Sequence, residues 1–273
     1  MARMLLGSRA VPNGGGVRKA SLLALATAIA ILTAALLVPT SSLAAGGTGT
    51  AAVRILRTSK VCLAELKVAR AQRREPQLQE CNFQKANLRK KNFSDADLSG
   101  SDLTSANLSG ANFFNATLTN TILDKANFTS ADLFSADLSG ASIIGAKFTK
   151  ADLRSADFDG ANLQGVVMNG LDLEGASFDG ANLTNAKMKK IKGAETSFEG
   201  ANLTGADFDK ADLTEASFKG AIAVNTFFTD ANLQVADFTG ADITGANFFR
   251  AFCYFTRNTA GSPLTFTDCP DGS

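Results

Sequence analysis

The chain has 273 residues, a formal net charge of +1, four cysteines, one tyrosine and neither histidine nor tryptophan. That composition excludes His-based catalytic triads and His-ligated metals. The near-neutral balance supplies no basic field for nucleic acid, and the chain carries no P-loop and no GxGxxG in a strand–helix setting.

Residues 1–44 stand apart from the rest. Arg3, Arg9, Arg18 and Lys19 make a positive start without an acid, and Ala20 to Val38 is apolar except for Ser21, Thr27 and Thr33. Pro39-Thr40-Ser41-Ser42-Leu43-Ala44 follows, with small residues at Ser42 and at Ala44, the expected cleavage position. This is the order of a secretory signal. The apolar run also nearly suffices to span a bilayer, so the segment reads as a cleaved signal or a retained membrane anchor. There is no Arg-Arg pair to support a twin-arginine route.

Residues 45–80 read as a linker and a capping helix. Thr50 is placed to N-cap a helix over roughly 51–74, stopped by Pro76. Val53, Leu56, Val61, Leu63, Leu66 and Val68 give it apolar surface. Arg54, Arg57, Lys60, Lys67, Arg70, Arg73 and Arg74 give it charge, read as a solvated face rather than a membrane or nucleic-acid patch. An open solenoid end needs a cover, and a helix laid over it provides one.

Residues 81–255 repeat every five. A large apolar centre falls at each position ending in 3 or 8 from Phe83 to Cys253, usually with Ala two residues earlier and Asn or Asp between, as in Ala86-Asn87-Leu88. Neither a 3.6 nor an unbroken 2 period fits. The pattern describes a chain that turns after each short extended piece, small and large residues inward. Sorted by twenty, the centres fall into four classes. Phe128, Phe148, Phe208, Phe228 and Phe248 share one, and Phe158, Phe178, Phe198, Phe218 and Phe238 share another, while the remaining two classes are mainly Leu. Like stacking on like over a twenty-residue coil predicts an all-β, four-sided solenoid with two Phe ladders facing across a narrow core. At about 4.8 Å between strands, the stack should be roughly 42 Å long. Val166, Leu171 and Ile191 occupy inward positions normally held by Ala, and Ile191 shares its unit with Gly193 in place of a large centre. Bulk has moved two residues with core volume roughly kept.

The A(D/N)LXX units resemble the pentapeptide-repeat family over about two-thirds of the chain. The resemblance implies a right-handed quadrilateral β-helix. For some members it also implies a DNA-like surface that binds gyrase, a role that requires the cytoplasm and sits badly with the N-terminal segment.

Residues 256–273 are turn-rich, with Gly261-Ser262-Pro263 and Pro270-Asp271-Gly272, and read as a second cap. The cysteines bracket the repeat: Cys62 and Cys81 at one end, Cys253 and Cys269 at the other. A disulfide needs Cα atoms within about 7 Å, and the solenoid holds its ends far further apart. Cys62–Cys81 and Cys253–Cys269 are therefore the expected pairs, with Cys81 and Cys253 as simple inward core residues the alternative. Signal and bridges agree on an oxidising compartment, the periplasm or extracellular space. Cysteine-bracketed repeats also resemble lumenal members of the family in cyanobacteria and chloroplasts, which makes the thylakoid lumen an alternative.

On the surface, Asn92, Asn112, Asp132, Asp152, Asp172, Lys192, Asp212 and Asn232 form one stripe. It reads as a solvated ladder, with a weak cation site or acidic docking stripe as the functional counterpart. Lys187, Lys189, Lys190 and Lys192 make a local basic patch. Ser, Thr, Asp and Lys are spread evenly rather than gathered in a cleft. The expectation is a non-catalytic protein without cofactor or metal, a rigid scaffold for an unidentified protein partner, with an enzyme as the remote alternative.

Overall fold

A computed structural model describes residues 57–253. They lie within the second of two compact units, Arg54–Ser273; the first, Met1–Val53, lies wholly outside the described residues. So do the expected signal with Ala44, the expected N-cap Thr50, the second cap and Cys269.

The sequence pattern dictates where every backbone N–H goes. In the unit Ala106 to Gly110, the Asn107 N–H reaches back to the Ala86 carbonyl at 2.9 Å, while those of Leu108 and Gly110 reach forward to Asn127 and Thr129, each at 2.9 Å. The Ala106 N–H closes a turn on the Leu103 carbonyl at 2.9 Å. The turn's third residue, Ser105, has φ +58°, and its counterpart Gly110 has φ +65°. A bonded turn with positive φ only at its third residue is the type II pattern, which explains why glycine recurs at positions ending in 0 and 5. The fifth N–H, that of Ser109, donates to Asn107 Oδ1 at 3.2 Å. A buried or half-buried backbone group left unpaired is costly, and here none of the five is left over.

Parallel bridges join residues twenty apart along all four sides, as in Asn87 with Asn107, Asn92 with Asn112, Asp97 with Thr117 and Asp102 with Ile122. Four units therefore make one coil. Ala and the large centres fill the interior. Within it Phe158 stacks on Phe178 at 4.8 Å and Phe178 on Phe198 at 5.2 Å, while Phe128 stacks on Phe148 at 5.1 Å. The two ladders meet edge to face, Phe148 against Phe158 at 6.5 Å and Phe208 against Phe218 at 6.2 Å, the geometry that the ring quadrupoles favour. Gly193 sits where Ile191 fills the core: a Cβ there would lie 3.2 Å from Ile191 Cδ1, Leu213 Cδ2 and Thr196 Oγ1.

The N-terminal end departs from expectation in two ways. The helix, α1, is Ser59–Gln72 with Thr58 at its N-cap, not a helix from 51 to 74. Arg57–Thr58 instead forms a strand, β1, parallel to β2, Cys81–Asn82. The open backbone row of the first coil draws these residues into the ladder, with the Arg57 N–H on the Glu80 carbonyl at 2.6 Å. Helix propensity loses to edge pairing because an unpaired edge is the costlier alternative. Second, the solenoid starts one unit earlier than Phe83. Leu78 is a buried centre, Gln77 bridges to Asp97, and Pro76 is buried at the small inward position. That N–H would otherwise close a turn on a preceding unit, and no unit precedes, so proline is tolerated there.

Candidate functional site

The polar residue at the middle of each unit proved to be structural. On the third side, the Oδ1 atoms of Asn92, Asn112, Asp132 and Asn232 accept the N–H groups of Ser94, Phe114, Phe134 and Gln234 at 3.0, 2.8, 3.1 and 3.2 Å. Asp152, Asp172 and Asp212 do the same at 3.3 Å. This is the Asx turn, which suits a short side chain ending in a carbonyl-type oxygen. In four units whose middle residue, Ser or Lys, does not make this bond, the coil before supplies the oxygen. Ile144, Asp179, Lys189 and Glu199 donate their N–H groups to Asp124, Asp159, Asn169 and Asp179, at 3.0, 2.9, 3.0 and 2.8 Å. The two-residue spacing from Asn or Asp to an otherwise orphaned N–H is the sequence signal that reveals this role.

Two of the four carboxylates along the stripe have a cationic partner. Arg154 grips Asp152 with Nε at 2.9 Å and Nη2 at 2.6 Å, and those bonds hold the Asp152 carboxyl below the usual carboxylate range. Lys192 lies 3.8 Å from Asp172. In the basic patch, Lys189 bonds Asp207 at 3.0 Å and neighbours Asp209 at 3.7 Å. Among the described residues no cluster of three or more metal-ligating side chains forms, and no helix is long and apolar enough to cross a membrane.

A contrasting side carries Asp137 and Asp157, with Asp159, Asp179 and Glu199 on the adjoining corner. Burial, with Asp159 and Asp137 as like-charged neighbours, pushes the Asp157 carboxyl up.

At the N-terminal end Cys62 and Cys81 are joined in a disulfide, Cα atoms 6.1 Å apart. Both are fully buried, between α1 and the first coil. Ser101 completes the junction: its hydroxyl donates to the Leu78 carbonyl at 2.8 Å and accepts the Cys81 N–H at 2.9 Å, bridging the turn that in other units closes directly. At the other end Cys253 is also disulfide-bonded.

Two surface features were not anticipated. A cleft of about 360 Å³ lies between the end of α1 and the coils, lined by Arg70, Arg73, Arg74, Glu75 and Asp95. Phe114 and Phe134 stack on the outside at 5.8 Å, on a turn column that elsewhere is mainly polar.

The family model of pentapeptide repeats matches residues 77–113, 111–149, 151–189, 194–220 and 211–248, well over half of the chain. Among curated proteins no sequence matches. Three solved structures illustrate the similarity. HetL of the cyanobacterium Nostoc sp. strain PCC 7120, a pentapeptide-repeat protein involved in heterocyst differentiation regulation, is 27% identical over 72% of this chain and 90% of that one, with a TM-score of 0.36. QnrB1, a plasmid-mediated fluoroquinolone resistance protein, is 16% identical over 66% of this chain and 78% of that one, with a TM-score of 0.31. A pentapeptide-repeat protein of the Arabidopsis thaliana thylakoid lumen is 33% identical over 49% of this chain and 68% of that one, with a TM-score of 0.13.

Proposed function

The chain belongs to the pentapeptide-repeat family, whose fold is the right-handed quadrilateral β-helix, and on that premise we propose that it is an exported, non-catalytic scaffold that presents a rigid surface to a protein partner. The observation that carries this reading is the commitment of the outward Asn and Asp oxygens to backbone N–H groups. Side chains so engaged stiffen the surface and are poor general acids or bases, which need a mobile proton and a pocket.

Export is supported by the fully buried Cys62–Cys81 bridge, of the kind found in oxidising compartments, together with the apolar run at 20–38. The periplasm or extracellular space is the proposed location, with the thylakoid lumen or a membrane-anchored form as variants of the same topology.

The acidic side at Asp137, Asp157, Asp159 and Asp179 favours a second reading, a cytoplasmic DNA-like surface for a topoisomerase such as gyrase. Two measurements separate them. N-terminal sequencing of the native protein should find a start near residue 45, or an intact chain in a membrane fraction, and a crosslinking pulldown from the envelope should recover a partner. An intact chain in the cytosol that inhibits supercoiling would replace the first reading by the second.

A further inference from the structure

We propose that the turn column carrying Ser94, Phe114, Phe134 and Arg154 is a docking track for an extended peptide segment of a partner protein, one with a carboxylate next to an aromatic or large apolar side chain. This rests on the scaffold reading above and assigns it a place and a chemistry.

The four residues are twenty apart, so they stand on successive coils at about 4.8 Å per step. Phe114 is 44% exposed although ring-stacked on Phe134. The column continues through Glu174, Ala194, Thr214 and Gln234, so nothing in the fold calls for aromatic rings there. Solvent-exposed rings held flat against one another lose little further entropy on binding, which suits them as anchors.

A guanidinium stands at each end of the pair. Arg154 lies over the Phe134 ring, 5.5 Å from its centroid, with its charge already matched by Asp152. At the other end Arg70 bonds the Ser94 carbonyl and, at 3.2 Å, its hydroxyl, while its Nε is buried without a hydrogen-bond partner. Beside Arg70 opens the 360 Å³ cleft.

Of the other groups lining the cleft, Arg74 pairs with Glu65 at 2.6 Å, Asp95 accepts the Asn115 amide at 3.2 Å, and the Glu75 carboxylate lines it as well. The exposed Arg73 guanidinium then supplies the donors facing an incoming anion, with the Glu75 carboxylate close by. A carboxylate matches such a fork. From the Ser94 rung to the Phe pair is one or two coil steps, about 5–10 Å, or two to three residues of extended chain at about 3.3 Å each. An acid followed within about three positions by Phe, Tyr or Leu spans the track.

The test is fluorescence polarisation with labelled, N-acetylated hexapeptides bearing Asp or Glu one to four residues before Phe, against full-length protein. Binding should weaken at least tenfold when the acid is replaced by its amide, in the Arg73→Ala protein and in the Phe114→Ser/Phe134→Ser protein. Ser94 and Thr214 in the same column show that hydroxyl side chains are accepted there, and melting curves check folding. Gln164→Ala, on another corner, should leave binding unchanged. Absence of binding up to millimolar peptide, or binding indifferent to these changes, overturns the track. In the envelope pulldown, a partner captured equally by the double-Ser protein overturns the track while leaving the scaffold standing. A partner lost with the double-Ser protein and with Arg73→Ala, but kept with Gln164→Ala, supports both.

Discussion

Asp179 shows how much a single outward side chain does in this fold. Its Oδ1 accepts the Glu199 N–H at 2.8 Å and the Ser197 hydroxyl at 2.5 Å, serving a unit whose own middle residue, Ser197, does not make that bond. Asp179→Ala should therefore cost about 1–3 kcal/mol, the range for losing two modest hydrogen bonds. Asp179→Asn, which retains the oxygen, should recover most of the loss, and urea denaturation of the three proteins would measure it. A lesion of opposite kind waits at Gly193. Three side-chain atoms stand 3.2 Å from where a Cβ would be built, so Gly193→Leu overpacks a filled core and should lower stability by about 1–3 kcal/mol. An unchanged or raised melting temperature would show that Ile191 does not occupy the missing volume.

The four sides differ in charge although they share one backbone. On the side of Asp137, Asp157 and Asp159, burial and like charge raise the folded pKa of Asp157. A carboxyl with a raised folded pKa favours the native state while protonated, and that contribution is lost as pH rises through the folded value. Asp157→Asn keeps the oxygen that accepts the Asp159 N–H at 2.8 Å but removes the charge. It should melt higher than the parent at pH 7, and the gap should close as pH falls below the unfolded value of about 3.9. Thermal scans from pH 3 to pH 7 would read this directly.

At the same scale lies the clearest limit on reading this chain from its sequence. The five-residue step and the segregation of Phe158, Phe178 and Phe198 from the Leu columns were legible because a twenty-residue coil makes equal side chains stack. The strand at Arg57–Thr58 was not legible. Nothing local distinguishes it from the first turn of a helix, and only the distant Cys81–Asn82 edge decides its state. The inward Pro76 was likewise hidden, because its fitness depends on there being no unit before it. The candidate docking column was legible only in part: the five-residue step puts Phe114 and Phe134 outside and one coil apart, but the Arg70 and Arg154 contacts on either side of them come from the folded chain.

For the molecule taken whole, stability is a sum over neighbouring coils, which makes the register between them testable. Removing residues 206–225 deletes one full coil and sets Phe238 over Phe198 and Ile243 over Leu203, in the same columns as before. Removing only 206–210 rotates everything beyond by one side, so that Ala223 covers Phe198 and Phe218 lands over Gly193. The smaller deletion should depress the melting temperature at least as far as the larger. Equal tolerance of any five-residue excision would mean that the aromatic columns contribute no specificity.

A stack built by repeating one bonding rule contains no instruction to stop: each completed coil is a template for another. Here one of the four open rows on the first coil, that of Cys81–Asn82, is occupied by Arg57–Thr58, and the Cys62–Cys81 bond ties that occupant down. The protein thereby carries its own chain terminator at the N-terminal end, and ordinary thermal fluctuation does not break it. On that side of the first coil, addition of a further strand is blocked by covalent chemistry rather than by charge or chance.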